Sequence, residues 1–359
     1  MRSVLFLGAG RHQRSAILRL RELRARVVAV DRNPEAPGFA AADVGEAVDF
    51  QDVEALADVG RLHSVEGVLT VASDRAVPIV AAVAERLALP GIGSETAHAM
   101  VNKVAMRRRL AEHNVPQPQF ASAKTLDEAR AAVRTTGYPA VLKPVDSAGQ
   151  RGVFRIRSEG DLDTHFQATL AASPTQEAIV ETYHDGVEVN TLVVARGAET
   201  RLVTASDRLR PDGIGFGVAV AHLFPSTLIG DVLAEVERVA IEAVDALGLR
   251  DGIAYPQLLV SVSTVRIVEV AARIPGGQMV EVPRYGVGLD LVHVALLQAL
   301  GEKVPDELLL PRFHQPLAIR FFTAEPGPLP IGKVRTVGTL DTMLASPGVV
   351  QAETYLAVG

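Results

Sequence analysis

Short apolar runs alternate with stretches in which apolar residues recur every three to four positions, and this alternation organises the N-terminal part of the chain. Val4-Leu5-Phe6-Leu7 is a buried-strand run that Gly8-Ala9-Gly10 turns into a helix over Ser15 to Leu23. Arg26 to Val30 reads as a second strand ending at Asp31, and Gly67 to Val71 as another ending at Ser73-Asp74. Ala76 to Leu87 supplies the next helix, and the unit closes near Pro90-Gly91-Ile92-Gly93. Such alternation builds a parallel sheet that receives ligands at the carboxyl ends of its strands.

The pattern then changes. Met100 to His113 is a helix, punctuated by Asn114 and Pro116-Gln117-Pro118. Strands over Ala140 to Lys143 and Val153 to Arg157 flank a glycine-containing loop, followed by a helix over Asp161 to Leu170 and strands over Ala178 to Glu181 and Val187 to Val194. Ser206 to Gly217, rich in charge and glycine, reads as a mobile loop. Ile229 to Leu247 is the longest amphipathic helix, Ile253 to Val260 and Thr264 to Val270 form a hairpin, and Leu289 to Leu300 is another helix. From Gln315 the tail is β-rich with Pro and Gly turns.

Composition narrows the classes. With 359 residues, 48% hydrophobic and 22% charged, the chain suits two or three packed units. A net charge of −6 without a long basic run argues against nucleic acid as a partner. Arg107-Arg108-Arg109, the densest basic stretch, reads as a solvated helix face. The absence of cysteine removes disulfides, thiolate nucleophiles and Cys-ligated zinc. The apolar part of the N-terminus is too short for a signal peptide and no apolar run reaches spanning length, so a cytoplasmic protein with no membrane partner is expected.

Four constellations carry candidate chemistry. Gly8-Ala9-Gly10-Arg11-His12-Gln13, with Asp31 downstream, invites a dinucleotide reading, but Gln13 stands where the third glycine belongs, which disfavours NAD. Lys143 ends a strand, where its ammonium can lie beside a phosphate. The loop after it offers the backbone N–H groups of Ser147, Ala148, Gly149 and Gly152 to phosphate oxygens, or is an ordinary hairpin turn. In the segment from Ile179 to Glu188, the strand end can offer backbone groups to an adenine edge and Glu188 can accept from ribose hydroxyls, unless Glu181 and Glu188 are surface charges. Finally, Glu269 lies in an apolar strand, where a magnesium ion would offset the cost of an isolated carboxylate. Arg273 nearby can clamp a phosphate or carboxylate, or simply pair with Glu269.

The order Lys103, Lys143, glycine loop, Glu181/Glu188, Glu269 resembles the ATP-grasp superfamily over most of the chain. The run E-V-A-A-R-I-P-G-G at Glu269 to Gly277 is similar to the L-amino-acid ligase and carboxylate–amine ligase branch; purine and biotin carboxylase branches usually show E-x-N there. The resemblance implies an α/β protein: a Rossmann-like pre-ATP-grasp domain (1–95), a small lobe with its linker helix (96–180), a large lobe (181–314) and a β-rich C-terminal extension (315–359), shorter than the family's usual one. It implies that Lys103 and Lys143 hold ATP phosphates under the loop of Ser147, Gly149 and Gly152, that Glu181 and Tyr183 frame the adenine, and that Glu188 holds the ribose. Glu269 would bind magnesium, Arg273 would steady an acyl phosphate, and His222 matches a position near phosphate and acceptor, where it is a candidate base.

Two departures stand out. Gln257 occupies the place of a second acidic magnesium ligand, and Ala271 that of the Asn of other branches. The expected activity is an ATP-dependent carboxylate–amine ligase acting on small molecules, with an amino acid as substrate and ADP and phosphate as products. Arg208, Arg210 and Arg284 would meet a substrate carboxylate. The alternatives are a carboxylase or formate-type ligase, against which Ala271 counts, and a non-catalytic nucleotide-binding protein, which Gln257 favours. Grasp proteins are commonly homodimers, although no interface is marked in the sequence.

Overall fold

A computed structural model describes residues 1–210, 219–262, 264–322 and 332–354. The chain divides into two compact units, Met1–Phe321 and Phe322–Gly359, and everything that positions the cleft lies in the first.

The first sheet is parallel, in the order β3-β2-β1-β4, from β1 (Ser3–Leu7), β2 (Arg26–Asp31), β3 (Val44–Ala47) and β4 (Gly67–Leu69). Helices α1 (Arg11–Glu22), α2 (Val53–Leu62) and α3 (Val77–Arg86) connect and follow its strands. The turn after β1 is filled by the protein itself. Asp31 accepts hydrogen bonds from Ala9 N (2.9 Å) and Asn33 N (3.0 Å), and Gly38 N donates to the Ala9 carbonyl at 2.6 Å. The carboxylate that a dinucleotide would need for its ribose is thus committed to local backbone. Gln13 donates to the Val71 carbonyl (3.1 Å), which explains a long amide where a dinucleotide fingerprint has glycine.

The helix expected over Met100 to His113 is two helices, α4 (Ser94–Val101) and α5 (Lys103–Glu112). The break is at Asn102, whose extended backbone and side chain cap α5 by accepting from Ala105 N (2.9 Å). That cap sets Lys103 in the first turn of α5, pointing its ammonium into the small lobe. The small-lobe sheet, β5-β8-β6-β7, consists of β5 (Phe120–Ala123), β6 (Ala140–Pro144), β7 (Phe154–Ile156) and β8 (Ala178–Thr182), all antiparallel. Helices α6 (Leu126–Thr136), started by a Thr125–Glu128 capping box, and α7 (Glu159–Ala171), capped by Ser158, cover it around Phe166 and Leu162.

The large-lobe sheet is antiparallel, in the order β13-β12-β9-β10-β11-β14. Its strands are β9 (Val187–Arg196), β10 (Glu199–Leu209), β11 (Ala221–Phe224), β12 (Asp251–Ser261), β13 (Thr264–Ala271) and β14 (Leu317–Arg320). The expected hairpin is β12–β13. The segment read as a loop from Ser206 belongs to β10 as far as Leu209, because its alternation continues the strand; residues 211–217 lie outside the described residues. Helix α8 (Gly230–Ala246) covers one face with Val236, Val239, Ala240, Ala243 and Val244, the i, i+3, i+4, i+7, i+8 stripe legible in the sequence. Each fully buried valine among them contributes roughly 1.5–3 kcal/mol.

Helices α9 (Glu281–Val287) and α10 (Leu291–Ala299) follow, and α10 packs against α1 and β4. Val4 and Phe6 of the first sheet therefore share one core with Tyr255 and Ile274 of the large lobe and with Leu291 and Val294 of α10. Of the tail read as β-rich, Leu317–Arg320 is a strand, and the described residues of the second unit carry the single helical turn α11 (Asp341–Leu344).

Candidate active site

A cleft of about 480 Å³ opens between the small-lobe sheet and the large-lobe sheet, and Lys103, Lys143, Glu269, Gln257, His222, Glu188 and Arg273 all line it. That volume is within the range of ligand pockets. Its large-lobe wall follows from strand register. Gln257 lies directly opposite Glu269 on β13 and opposite Asn190 on β9, while Arg208 lies opposite both Glu188 and His222. Cross-strand partners share a face, so one face of the sheet carries all of these polar groups.

Two lysines enter from the small-lobe side, each about 6% exposed. Lys143 Nζ lies 2.8 Å from Glu181 Oε2. Lys103 Nζ donates to the Ser147 carbonyl at 2.8 Å and sits 3.3 Å from Glu269 Oε1. Burial pulls the Lys143 ammonium below the ordinary lysine pKa, against the attraction of Glu181. For Glu181, burial by itself would raise the carboxyl, but Arg107 and then Lys143 outweigh it and hold it well below the usual carboxylate range. The loop after β6 turns through left-handed backbone at Gly149 (φ 72°) and Gly152 (φ 70°). At Gly152 a Cβ would also come within 2.8 Å of Ala172, so the loop is seated on α7 only because glycine is there. Ser147 Oγ is buried without a hydrogen-bond partner among the described residues.

Several placements differ from expectation. Arg107 is not on a solvated face: it is 1% exposed and donates to both Glu181 oxygens, at 2.8 and 3.2 Å. Glu181 is accordingly not a surface charge, and its carboxylate is held by two cations, Arg107 and Lys143. The Tyr183 hydroxyl donates to Asp185 (2.6 Å), and the Arg155 guanidinium lies 3.8 Å above its ring. Glu188 is paired with Arg208 and with Arg210 Nη1 (3.1 Å). Arg284 is exposed beside Glu281 and does not line the cleft.

Glu269 and Arg273 do not pair with each other. Arg273 instead donates from Nε and Nη2 to the two oxygens of Asp74, each at 2.6 Å. Asp74 comes from the first sheet's side, brought there by a parallel bridge between Val71 and Ile274 and by Ala72 N donating to the Ile274 carbonyl at 2.9 Å. Arg273 Nη1 is buried and unpartnered among the described residues. Sequence reasoning missed Asp74, although it follows the carboxyl end of a parallel strand, where ligands gather. It missed Arg107 too, which falls on the buried stripe of Lys103, Arg107 and Leu110 at i, i+4 and i+7.

His222 is 7% exposed, with the Asn190 amide donating to its Nδ1 at 3.0 Å, which places the ring proton on Nε2. Burial, then the Arg208 charge, lowers its pKa to about 4. Among the described residues no three His, Cys, Asp or Glu side chains converge as a metal cage. The cross-strand Glu269–Gln257 pair, a carboxylate facing an amide oxygen, still fits a hard cation whose remaining ligands come from phosphate and water.

Two buried lysines from the small-lobe side meet Glu269 of β13 and Arg273, which follows that strand, in one cleft between two antiparallel sheets. The ATP-grasp domain family matches residues 108–277. A formate-dependent phosphoribosylglycinamide formyltransferase of Burkholderia thailandensis is 31% identical over 281 residues, 75% of this chain and 68% of that protein. Among solved structures, an L-amino acid ligase from Bacillus licheniformis superposes with a TM-score of 0.74 at 22% identity, covering 87% of this chain and 78% of that one. A carboxyaminoimidazole ribonucleotide synthase of Aspergillus clavatus, complexed with ATP, gives 0.74 at 19% identity, covering 88% and 81%. The two structural likenesses establish the fold alone. The chain belongs to the ATP-grasp superfamily, as an ATP-dependent enzyme that forms C–N bonds.

No helix among the described residues is long and apolar enough to cross a membrane.

Proposed function

We propose that the cleft binds magnesium-ATP, converts a small carboxylate to an acyl phosphate, and passes the acyl group to an amine. The observation that carries this reading is the convergence of Lys103, Lys143 and Arg273 on the cleft that Glu269 and Gln257 line. Three cations in one enclosed space suit a triphosphate and the charge gathered on a transferring phosphoryl group. The carboxylate oxygen attacks the γ-phosphorus and ADP leaves; the amine nitrogen then attacks the carbonyl carbon, and phosphate leaves with the proton that the nitrogen sheds. When bound at Glu269 and Gln257, magnesium would offset phosphate charge.

The chain's own groups position and shield. Lys103 and Lys143 orient the phosphates, and the loop from Ser147 to Gly152 brings backbone N–H groups to them and keeps water from the acyl phosphate. Arg273, with Nη1 unspent, steadies the acyl phosphate. His222 serves as a neutral donor from Nε2: with a pKa of about 4 it is too weak a base to take a proton from an ammonium near neutrality. Arg208 and Arg210, paired with Glu188 at the cleft wall, would meet a substrate carboxylate there.

For the carboxylate, an amino acid is the reading supported by Ala271 and by the E-V-A-A-R-I-P-G-G run. Formate is the second reading, favoured by the relative from Burkholderia thailandensis, which is named formate-dependent. The test is ADP and phosphate release with magnesium-ATP across formate, bicarbonate and the amino acids, each crossed with small amines, with mass spectrometry of positive wells. ADP release that requires both partners, with a product one water lighter than their sum, is expected. ATP binding without release under any pairing would refute the ligase reading.

A further inference from the structure

Arg107 is the largest fully buried side chain among the described residues, and a cation so deep needs an account of every bond. Nε and Nη2 grip the two oxygens of Glu181, and Nη1 and Nη2 donate to the carbonyls of Ile267 (3.0 Å) and Val268 (2.7 Å) on β13. Lys143 Nζ shares Glu181 Oε2 at 2.8 Å. One buried carboxylate therefore serves two buried cations, of which only Lys143 lines the cleft.

The sharing is unequal. Arg107 holds Glu181 through a fork whose planar geometry matches a carboxylate, and it is fixed by two further carbonyls. Lys143 has a single contact with Glu181 and a long flexible stem. If Lys143 were the only partner of Glu181, turning toward a phosphate would strand a buried carboxylate, the costly way to break a buried pair.

We propose that Arg107 is a positioning residue that acts as the standing counter-ion of Glu181, so that Lys143 can leave Glu181 for the nucleotide phosphates without stranding a buried charge. The inference rests on the reading that those phosphates meet Lys143. A residue outside the cleft thus sets nucleotide affinity through the charge of Glu181, not through packing of α5 on β13.

The test is calorimetric titration of magnesium-ADP into the wild type, Arg107→Met, Arg107→Lys and the double variant Arg107→Met/Glu181→Gln, with a thermal melt of each. Arg107→Met is expected to bind ADP at least about tenfold more weakly, because Lys143 stays on Glu181. The double variant, with no carboxylate to strand, should return to wild-type affinity or better, and Arg107→Lys, which keeps the counter-ion, should stay within about threefold. Arg107→Met binding ADP like the wild type, or the double variant remaining as weak as Arg107→Met, would overturn the proposal. If Arg107→Met shows no folding transition, the other two variants decide: either one binding tenfold more weakly than wild type overturns it. Failure of the wild type to bind ADP would instead remove the nucleotide reading of the cleft, and this inference with it.

Discussion

Asp74→Asn tests how the side of the first sheet contributes to the cleft. The substitution keeps the shape of the side chain and one acceptor oxygen, but removes the charge that holds Arg273. Both carboxylate oxygens now accept from the guanidinium at 2.6 Å. The Asp74 and Arg273 side chains are 22% and 12% exposed, between a surface pair and a buried one. Exposed pairs contribute about 0–1 kcal/mol and truncating a buried pair costs about 3–5 kcal/mol, so a loss of about 2 kcal/mol is expected. Urea unfolding of wild type and variant, compared at equal slope, reads that number. Freed from its clamp, Arg273 should also lose its fixed approach to the acyl phosphate. Turnover of the carboxylate–amine pair should therefore fall by about tenfold or more, corresponding to about 1.4 kcal/mol of transition-state stabilisation, while ADP affinity is unchanged. A variant that loses the stability but keeps full turnover would show the clamp to be purely structural. Equal losses in turnover and ADP affinity would place Arg273 on the nucleotide and refute its assignment to the acyl phosphate.

Two further outcomes follow from the same geometry. The His222 pKa of about 4 in the fold, against 6.5 when unperturbed, means that the unfolded chain binds the more protons between those values. This group therefore makes stability rise with pH across that window, by roughly 3 kcal/mol in all, and adds no slope above it. Urea midpoints measured from pH 4.5 to 7.5 should show that slope in the wild type and lose it in His222→Gln; an unchanged slope would place the titrating group elsewhere. Gln257→Glu sets a second carboxylate opposite Glu269. Manganese affinity in the presence of ADP, followed by electron paramagnetic resonance, should tighten by about tenfold. Chelation should lower the melting temperature of the variant more than that of the wild type, because like charges then face each other across the strands. No change in affinity would exclude position 257 from the cation's shell.

Local rules made the strands and loops of the cleft legible in the sequence, and the family resemblance supplied their order and the place of Lys103, His222 and Gln257. Lys143 ends an apolar strand run before a glycine loop, and the β12–β13 hairpin that carries Gln257 and Glu269 announces itself by two apolar strands and a short turn. The α8 stripe predicts which face of that helix is buried. What periodicity encodes is burial, not the partner found there. Arg107 looked like one of three solvated arginines, and only the docking of α5 between the lobes gives it a carboxylate on β8 and two carbonyls on β13, the carbonyls 160 and 161 residues away. Likewise Asp74 and Arg273, 199 residues apart, meet only where the first sheet and the large lobe share a core. That meeting decides which carboxylate Arg273 pairs with: the sequence offers Glu269, a near neighbour along the chain, but Glu269 faces Lys103 while Arg273 reaches across to Asp74. Strand identity and side-chain chemistry are local properties of a chain. The pairing of buried charges is decided by which elements pack together, because a buried charge must find its partner wherever the fold provides one.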